Sequence, residues 1–165
     1  MEEGKVLNLK YITSLNFRIA REVINCSRRL LKEIIDSENN TIHNTLIVSP
    51  PGKGKTTMLR DIIRNVSNGV EEIHFKGMTC GVVDERGEIA AMYKGFPQND
   101  IGIRTDVIEN ITKAKGMKML IRSMAPEVIA CDEIGSKEDV QAIRRSNNSR
   151  SKRNIYDAWK NNGGY

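Results

Sequence analysis

The sequence predicts an α/β fold in which a mostly parallel sheet is covered by helices on both faces. Three short segments indicate strands: TLIVS at 45–49, CGVVD at 80–84 and EVIACDE at 127–133. Their apolar residues form continuous runs, which is typical of strands buried on both sides. Segments with helical periodicity lie between them, and strands that alternate with helices favour right-handed crossovers in a parallel sheet.

Three helices are predicted around these strands. The first begins at Lys55, carries apolar residues at three- and four-residue spacings, and ends near Gly69. The second covers residues 116–124, and the third begins after Ser136, where Asp139 three residues later resembles a capping box. Ligands of parallel sheets bind beyond the carboxyl ends of the strands, so we expect the functional site at that edge.

The chain divides into three parts. Residues 1–43 form a helical lead-in, with an amphipathic helix over 16–36 that the polar stretch SENNTIHN ends. Residues 44–143 contain the strands and form the core, and residues 144–165 form a basic, asparagine-rich tail. A length of 165 residues is enough for one domain with a real core.

Composition restricts the class of protein. The formal net charge of +5 favours anionic partners, without choosing among nucleotides, nucleic acid and an anionic membrane surface. The three cysteines lie far apart and form no CxxC pair, which predicts free thiols in a reducing compartment. The N-terminus lacks the apolar core of a signal peptide, and no apolar run approaches the ~18 residues of a membrane span. These features predict a cytosolic protein.

The octapeptide PPGKGKTT at 50–57 lies between a predicted strand and a predicted helix. Glycines let consecutive N–H groups turn toward an anion, and the helix N-terminus adds its partial positive charge. This arrangement indicates a phosphate-binding P-loop, in which Lys55 reaches the β- and γ-phosphates, Thr56 binds Mg²⁺ and Thr57 donates to the α-phosphate. The predicted nucleotide-binding residues are Pro51, Gly52, Lys53, Gly54, Lys55, Thr56 and Thr57.

One position of the loop departs from the full P-loop pattern GxxxxGK[ST]. Ser49 stands where the first glycine belongs. The alternative interpretation is a proline-glycine surface turn beside a basic helix start. The flanking strand and helix favour the P-loop, because phosphate binding of this kind needs both.

A second acidic element is the strand VIACDE, which ends in Asp132 and Glu133. In a P-loop core such an aspartate holds Mg²⁺, usually by way of water, and the glutamate orients and activates the attacking water. Taken alone, an acidic pair after a strand is more typical of a solvated loop. Together with the P-loop it indicates a Walker B element, with Thr56 and Asp132 as magnesium ligands.

The segment between these two elements carries further charged candidates. Asp84, Glu85 and Glu88 follow a strand, where carboxylates face the nucleotide's metal or the attacking water. Arg86 and Arg104 are candidates for neutralising γ-phosphate charge, in cis or from a neighbouring subunit. The alternative is a charged surface loop with ordinary salt bridges. The predicted catalytic residues are Lys55, Glu85, Arg104 and Glu133.

Three segments resemble the family of stage III sporulation protein AA. They are HNTLIVSPPGKGKTTMLRDIIRNVSNG, CGVVDERGEIAAMYKGFPQNDIGIRTDV and GMKMLIRSMAPEVIACDEIGSKEDVQAI, of which the middle one is the most diagnostic. The resemblance implies a P-loop NTPase core of the RecA/AAA-like kind, similar to the ATPases of type II and type IV secretion, that uses ATP and Mg²⁺. The resemblance also implies that serine at position 49, in place of the first glycine of the general motif, is compatible with a P-loop of this family.

The resemblance also implies a cellular setting. The protein is expected in the cytoplasm of the mother cell of an endospore-forming bacterium, as a homo-oligomeric ring, a hexamer by resemblance. Its expected partners are membrane-embedded proteins of a channel that joins mother cell and forespore. Nucleic acid is not an expected partner, because basic tails are usually solvated. Secretion ATPases commonly have glycine before the catalytic glutamate, so Asp132 predicts more conventional metal binding here.

Both ends of the chain depart from the family. Family members carry a longer N-terminal region, and after Ile143 they continue with another strand where this chain has RRSNNSRSKRNIYDAWKNNGGY. Codons can be chosen for RRSNNSRSKRNIYDAW that, read one base later, spell EEAITAGVKEIFTMHG, which resembles the family's continuation with its TxH segment near the γ-phosphate. We therefore hypothesise a frameshift after Ile143. It predicts that the C-terminal strands are missing, that residues 144–165 are disordered or loosely helical, and that hydrolysis is weak.

Three functions stay open at this point. The first is an ATP-hydrolysing motor of the sporulation secretion type. The second is a related P-loop ATPase that acts on nucleic acid, favoured by the net charge and the basic tail, and recognisable by steep salt dependence. The third is a truncated, non-catalytic nucleotide-binding remnant, which would bind nucleotide without turnover.

Overall fold

A computed structural model describes residues 11–16, 22–147 and 153–159. The helices are α1 (Arg28–Ile34), α2 (Lys55–Asn68), α3 (Lys113–Ser123) and α4 (Lys137–Asn147), with a short 3₁₀ helix at Glu71–Ile73. The strands are β1 (Ile35–Asp36), β2 (Thr41–Ile42), β3 (Thr45–Ser49), β4 (Cys80–Asp84), β5 (Thr105–Glu109), β6 (Val128–Ile134) and β7 (Arg153–Trp159).

Among the described residues, the main sheet contains five strands in the order β3-β7-β6-β4-β5. Every neighbouring pair in it is parallel, so the carboxyl ends of all five strands lie at one edge. The short strands β1 and β2 form a separate antiparallel hairpin. The predicted α/β fold with a mostly parallel sheet is confirmed.

Helices cover both faces of this sheet. Side chains alternate along each strand, so Val82 and Ala130 belong to the apolar cluster that also contains α2, whereas Val83 and Ile129 belong to the cluster that contains α3. Strands buried on both sides are the reason why β4 and β6 have continuous apolar runs in the sequence.

Helix α2 connects the two edges of the sheet. It begins at Lys55 after Gly54, whose φ of +80° is left-handed, and it ends at Asn68 before Gly69 with φ of +92°. Its apolar stripe is fully buried against the sheet. The predicted start and end are therefore found. At 1.5 Å per residue, the 14 residues span about 20 Å, so the two ends of α2 lie at opposite edges of the sheet.

The lead-in differs from its prediction. The expected helix over 16–36 is helical only from Arg28 among the described residues, and 17–21 lie outside them. A turn precedes α1, in which Asn25 has a φ of +64°. The backbone N–H groups of Asn25 and Ser27 both donate to Asp61 of α2, which binds this turn to the core. These bonds replace the helical bonds that the periodicity predicts.

Two strands also differ from expectation. β3 was expected to be covered on both faces, yet Leu46 and Val48 are 55% and 48% exposed. β3 is the outer strand of the sheet, and the helices that cover this part of the sheet leave one of its faces open within the described residues. β5 was not predicted, because TDVIE contains only two apolar residues, flanked by polar ones, and is only partly buried.

The tail departs most from its prediction. Residues 144–147 continue α4, and Arg153–Trp159 form β7, which lies between β3 and β6. The expectation that residues 144–165 are disordered or loosely helical is therefore wrong for Arg153–Trp159. Ile155 packs in the cluster on the α2 side and Tyr156 in the cluster on the α3 side, so this short segment supplies what a central strand needs. The hypothesis of a frameshift stays a prediction, and the remaining tail residues lie outside those described.

Across the described residues, no helix combines the length and the apolar character that crossing a membrane requires.

Candidate functional site

The candidate site lies at the carboxyl edge of the parallel sheet. The loop after β3, the acidic end of β6 and the loop after β4 all leave the sheet there. The predicted phosphate loop and the predicted acidic strand therefore share one edge. They are separated by β7 alone, which at two strand spacings corresponds to about 10 Å between β3 and β6.

The loop from 50 to 54 has the backbone that anion binding requires. Gly52 and Gly54 have φ of +71° and +80°, and a Cβ built on either would meet no atom within 4 Å. Left-handed backbone, and not crowding, is what requires glycine at these positions. Because Gly54 has no side chain to cap α2, the first N–H groups of the helix are available to an anionic ligand.

The first turn of α2 carries the predicted phosphate and metal ligands. The Lys55 Nζ donates to the backbone carbonyl oxygens of Ser49 at 3.2 Å and Pro50 at 3.4 Å, so its ammonium lies against the loop. Thr56 and Thr57 follow and are half-buried. The side chain of Ser49 points to its own loop, since its Oγ donates to the Pro50 carbonyl oxygen at 3.2 Å.

Asp132 lies at the height of this loop. Ile134 is level with Ala158, and Ala158 is level with Val48 near the end of β3. The Asp132 residue is only 3% exposed. A buried carboxylate two strands from Lys55 is a chemically suitable ligand for a hard cation held between it and the loop.

Glu133 is the second acidic residue of this strand. The ladder between β6 and β7 shifts register between Cys131 and Ile134, and Glu133 has a left-handed φ of +32°. Bulges and left-handed non-glycine residues concentrate at functional sites. The bulge turns Glu133 toward the end of β4, where its carboxylate accepts a bond of 2.5 Å from Arg86.

Glu85 also has a cationic partner that the sequence did not reveal. It forms an ion pair with Lys113, the first residue of α3, whose side chain is almost fully buried. Burial alone would lower the pKa of Lys113, but the hydrogen bond and charge of Glu85, with the charges of Asp132 and Asp139, outweigh burial and raise it. Lys113 is therefore a buried ammonium beside two of the predicted acidic site residues.

Asp84 has a structural role instead of the expected metal or water contact. Its carboxylate accepts bonds from the backbone N–H groups of Glu88, Ile89 and Ala90, at 2.9 to 3.2 Å. From the other side, the Arg60 guanidinium donates to the carbonyl oxygens of Glu88 and Ile89 at 2.7 Å. Asp84 thus binds the N–H groups of the loop after β4, and Arg60 binds its carbonyl oxygens. These bonds fix the position of Glu85 and Arg86.

Arg104 does not reach the candidate site of its own chain. Its guanidinium donates to the carbonyl oxygens of Ser67 at 2.7 Å and Asn68 at 3.3 Å, at the C-terminal end of α2. It precedes β5, so it lies at the amino edge of the sheet, about 20 Å from the phosphate loop by the length of α2. The predicted role in cis is therefore wrong, while a role in a neighbouring subunit stays a prediction.

The side chains present fit a magnesium nucleotide. Mg²⁺ prefers a few protein oxygens together with phosphate oxygens and water, and Thr56 and Asp132 supply a hydroxyl and a carboxylate. The described residues contain no cluster of three or more histidines, cysteines or acids that would hold a metal without such a ligand. Cys80 and Cys131 are buried, and burial raises the pKa of Cys80 to about 12.

Comparison with known sequences places the chain among sporulation proteins. The family model described as sporulation stage III, protein AA matches residues 1–153. Stage III sporulation protein AA of Bacillus subtilis is 44% identical over 142 residues, which are 86% of this chain and 45% of that protein. The chain therefore spans less than half the length of this relative.

Comparison with solved structures supports the fold. The ATPase DotB of Legionella pneumophila superposes with a TM-score of 0.56 at 18% identity, covering 85% of this chain and 35% of DotB. The pilus retraction motor PilT, solved with bound ADP, gives a TM-score of 0.51 at 16% identity over 87% of this chain and 38% of PilT. At these identities the likeness shows that the chain shares the fold of these two proteins, in agreement with the α/β fold that the sequence predicts.

Proposed function

Because the chain belongs to the family of sporulation stage III protein AA, we propose that it binds ATP with Mg²⁺ and hydrolyses it as a motor subunit of a sporulation-specific channel complex. The observation that carries the proposal is the shared edge of the sheet, where the loop with Lys55 and the buried Asp132 lie two strands apart. The ADP bound to PilT, a protein of the same fold, supports the choice of ligand.

Binding rests on the loop and the first turn of α2. The N–H groups of residues 52–57 receive the phosphates, and the left-handed glycines let these groups converge. Lys55 exchanges its bonds to two backbone carbonyls for the β- and γ-phosphates. Thr56 and Asp132 hold the magnesium ion, which when bound neutralises phosphate charge.

Hydrolysis rests on the acidic ends of β6 and β4. Glu133 acts as the general base that orients the attacking water and accepts its proton. Glu85 is the second carboxylate of the site, and its ion pair with buried Lys113 fixes it in position. The site thereby has one exposed base for chemistry and one anchored carboxylate.

Membership of this family supports a proposal for the larger assembly. We propose that the chain works in a homo-oligomeric ring, a hexamer, in the mother-cell cytoplasm at membrane-embedded channel proteins. In such a ring, Arg104 is positioned away from its own nucleotide and available to that of a neighbour. The partners and the transported substrate belong to the whole protein, of which this chain matches a part.

The test measures nucleotide binding and turnover on the same preparations. We expect the unchanged chain to bind Mg-ATP and Mg-ADP in calorimetry and to release phosphate. The variant Lys55→Ala should lose roughly 100-fold in turnover, since it removes a cation aimed at the developing phosphate charge. Lys118→Ala, which removes an exposed lysine of α3, is the matched control and should match the unchanged chain.

The outcomes also separate the other functions. Tight binding with equal, background turnover in the unchanged chain and Lys55→Ala would favour a non-catalytic remnant. Binding of single- or double-stranded nucleic acid that falls steeply with salt would favour a nucleic-acid ATPase. Absence of heat with Mg-ATP would contradict the nucleotide-binding proposal itself.

A further inference from the structure

The ion pair between Arg86 and Glu133 concerns the residue to which the proposed function assigns the role of general base. The two side chains meet at 2.5 Å across neighbouring strands β4 and β6. In this arrangement the carboxylate that should activate water is engaged by a guanidinium. The Glu133 Oε2 that accepts this bond is not available to orient water while the pair is closed.

The pair is exposed and therefore exchangeable. The side chains of Arg86 and Glu133 are 59% and 41% exposed. Ion pairs in such positions are weak, because water screens both charges. A phosphate that carries several negative charges and binds arginine through two parallel hydrogen bonds is a stronger partner for the same guanidinium.

The residues on either side of Arg86 hold its backbone in place, so a change of partner involves its side chain. Before Arg86, Glu85 is anchored by Lys113. After it, the backbone of residues 88–90 is held by Asp84 and Arg60. The backbone of Arg86 is therefore fixed between two anchors, while its long side chain is exposed at the carboxyl edge, where the phosphates are proposed to bind.

Building on the proposed function, we propose that Arg86 is the switch of this site. It holds Glu133 while the site lacks nucleotide and transfers to the terminal phosphate of bound ATP, which releases Glu133 to activate water. ADP lacks that phosphate and leaves the pair closed. The left-handed, bulged backbone at Glu133 keeps its carboxylate within reach of both positions.

The test is a double-mutant cycle on binding, which does not depend on turnover. The dissociation constants of a non-hydrolysable Mg-ATP analogue and of Mg-ADP are measured by calorimetry for the unchanged chain, Arg86→Ala, Glu133→Gln and the double variant. Arg86→Ala should weaken binding of the analogue roughly 10-fold or more and binding of Mg-ADP less than about 2-fold. Glu133→Gln should tighten the analogue about 2- to 5-fold, because it removes the competitor for Arg86.

The double variant decides between the switch and simple repulsion. If Glu133→Gln acts through Arg86, its tightening effect disappears in the Arg86→Ala background. Tightening that persists there would overturn the switch, since it would come from direct repulsion between Glu133 and phosphate. Equal effects of Arg86→Ala on the analogue and on ADP would also overturn it.

A second arginine–glutamate pair serves as the matched control. Arg28 and Glu72 form an exposed pair at 3.0 Å, on α1 and the 3₁₀ helix, with side chains 68% and 67% exposed. The same four-variant cycle at that pair should change neither constant. Arg86→Lys, which keeps the charge, should retain part of the preference for the analogue. Failure of the unchanged chain to bind either nucleotide would overturn the proposed function, and the switch with it.

Discussion

At the scale of single residues, the glycines of the phosphate loop illustrate how conformation and ligand binding are linked. Gly52 and Gly54 adopt left-handed backbone in open space. Nothing in their surroundings forbids a larger side chain, so the requirement comes from the backbone alone. That backbone is what directs N–H groups toward a bound anion.

Gly54→Ala should therefore lower the free energy of unfolding by about 1–2 kcal/mol, the cost of a left-handed Cβ. The substitution should also weaken binding of Mg-ADP, because relief of the strain moves the N–H groups at the start of α2. Urea denaturation and calorimetry measure the two effects. Gly135→Ala is the matched control, since its Cβ would meet no atom closer than 4.0 Å and its φ is not left-handed. Equal stability of the two variants would contradict the argument.

Asp61 is the residue that binds the lead-in to α2. Its carboxylate accepts bonds from the Ser27 N–H at 2.9 Å, the Ser27 Oγ at 2.6 Å and the Asn25 N–H at 3.0 Å. Arg64 adds a bond at 2.7 Å. Burial by itself would raise the pKa of Asp61, but these bonds outweigh burial and hold it below the ordinary 3.8.

Because the pKa of Asp61 is lowered in the folded state, the free energy of unfolding depends on pH. A carboxyl with a lowered pKa in the folded state contributes stability above its ordinary value of 3.8, and the contribution is lost as the pH falls through the folded pKa. Asp61→Asn should cost roughly 1.5–3 kcal/mol at pH 7. The difference from the unchanged chain, measured by urea unfolding, should shrink as the pH falls below 3.8. A difference that stays constant down to pH 2 would show that the charge of Asp61 is not what stabilises the turn.

The sequence revealed those site residues that belong to contiguous motifs. Lys55 follows a recognisable strand and Asp132 lies near the end of another, and the structure brings these carboxyl ends to one edge. Pairs that join distant segments, such as Lys113 with Glu85, have no local signal. A role in cis stayed open for Arg104, beside one in a neighbouring subunit, because β5 was not recognised. A residue that precedes a parallel strand lies at the edge opposite the phosphate loop, so the missed strand is what left the role in cis open.

At the scale of elements, burial explains which strands could be predicted. β4 has the bounds that its continuous apolar run predicts. Each end of β6 lies one residue from the bounds predicted for that strand, 127–133. β5 and β7 were missed for two different reasons. β5 buries its residues only partly, and the composition of the tail, rich in Arg, Asn and Ser, hid the short segment that forms β7.

The paired strands β7 and β3 allow a direct comparison of a buried and an exposed position. Ile155 is fully buried, whereas Leu46, on the neighbouring strand, is 55% exposed. Ile155→Asp should destabilise the chain by more than about 3 kcal/mol, because it places an unpaired charge in the core. Leu46→Asp should change stability by less than about 0.5 kcal/mol. Thermal or urea unfolding of both variants measures this, and equal tolerance at the two positions would contradict the central placement of β7.

At the scale of the whole molecule, β3 marks where the sheet stops within the described residues. Its outer edge and the side chains of Leu46 and Val48 are open. Exposed edges of this kind are pairing sites for further strands or further copies. The chain matches less than half of the Bacillus subtilis relative, so the proposed ring and its channel partners concern the longer protein.

The hypothesis of a frameshift leads to a prediction for the whole chain. In the alternative reading, residues 144–159 become EEAITAGVKEIFTMHG, which places EIFTMHG on the positions of β7 and keeps an apolar residue, phenylalanine, at position 155. The sheet should therefore form in both versions.

If the threonine and histidine of that string lie near the γ-phosphate, as the resemblance implies, their polar hydrogens stabilise the charge of the transition state. Turnover of Mg-ATP should then rise roughly 10-fold or more while Mg-ADP affinity changes little. Steady-state phosphate release by the two versions, with Lys55→Ala introduced into each, measures this. Equal turnover in both versions, or an intact reading frame with a different ending in the gene, would contradict the frameshift.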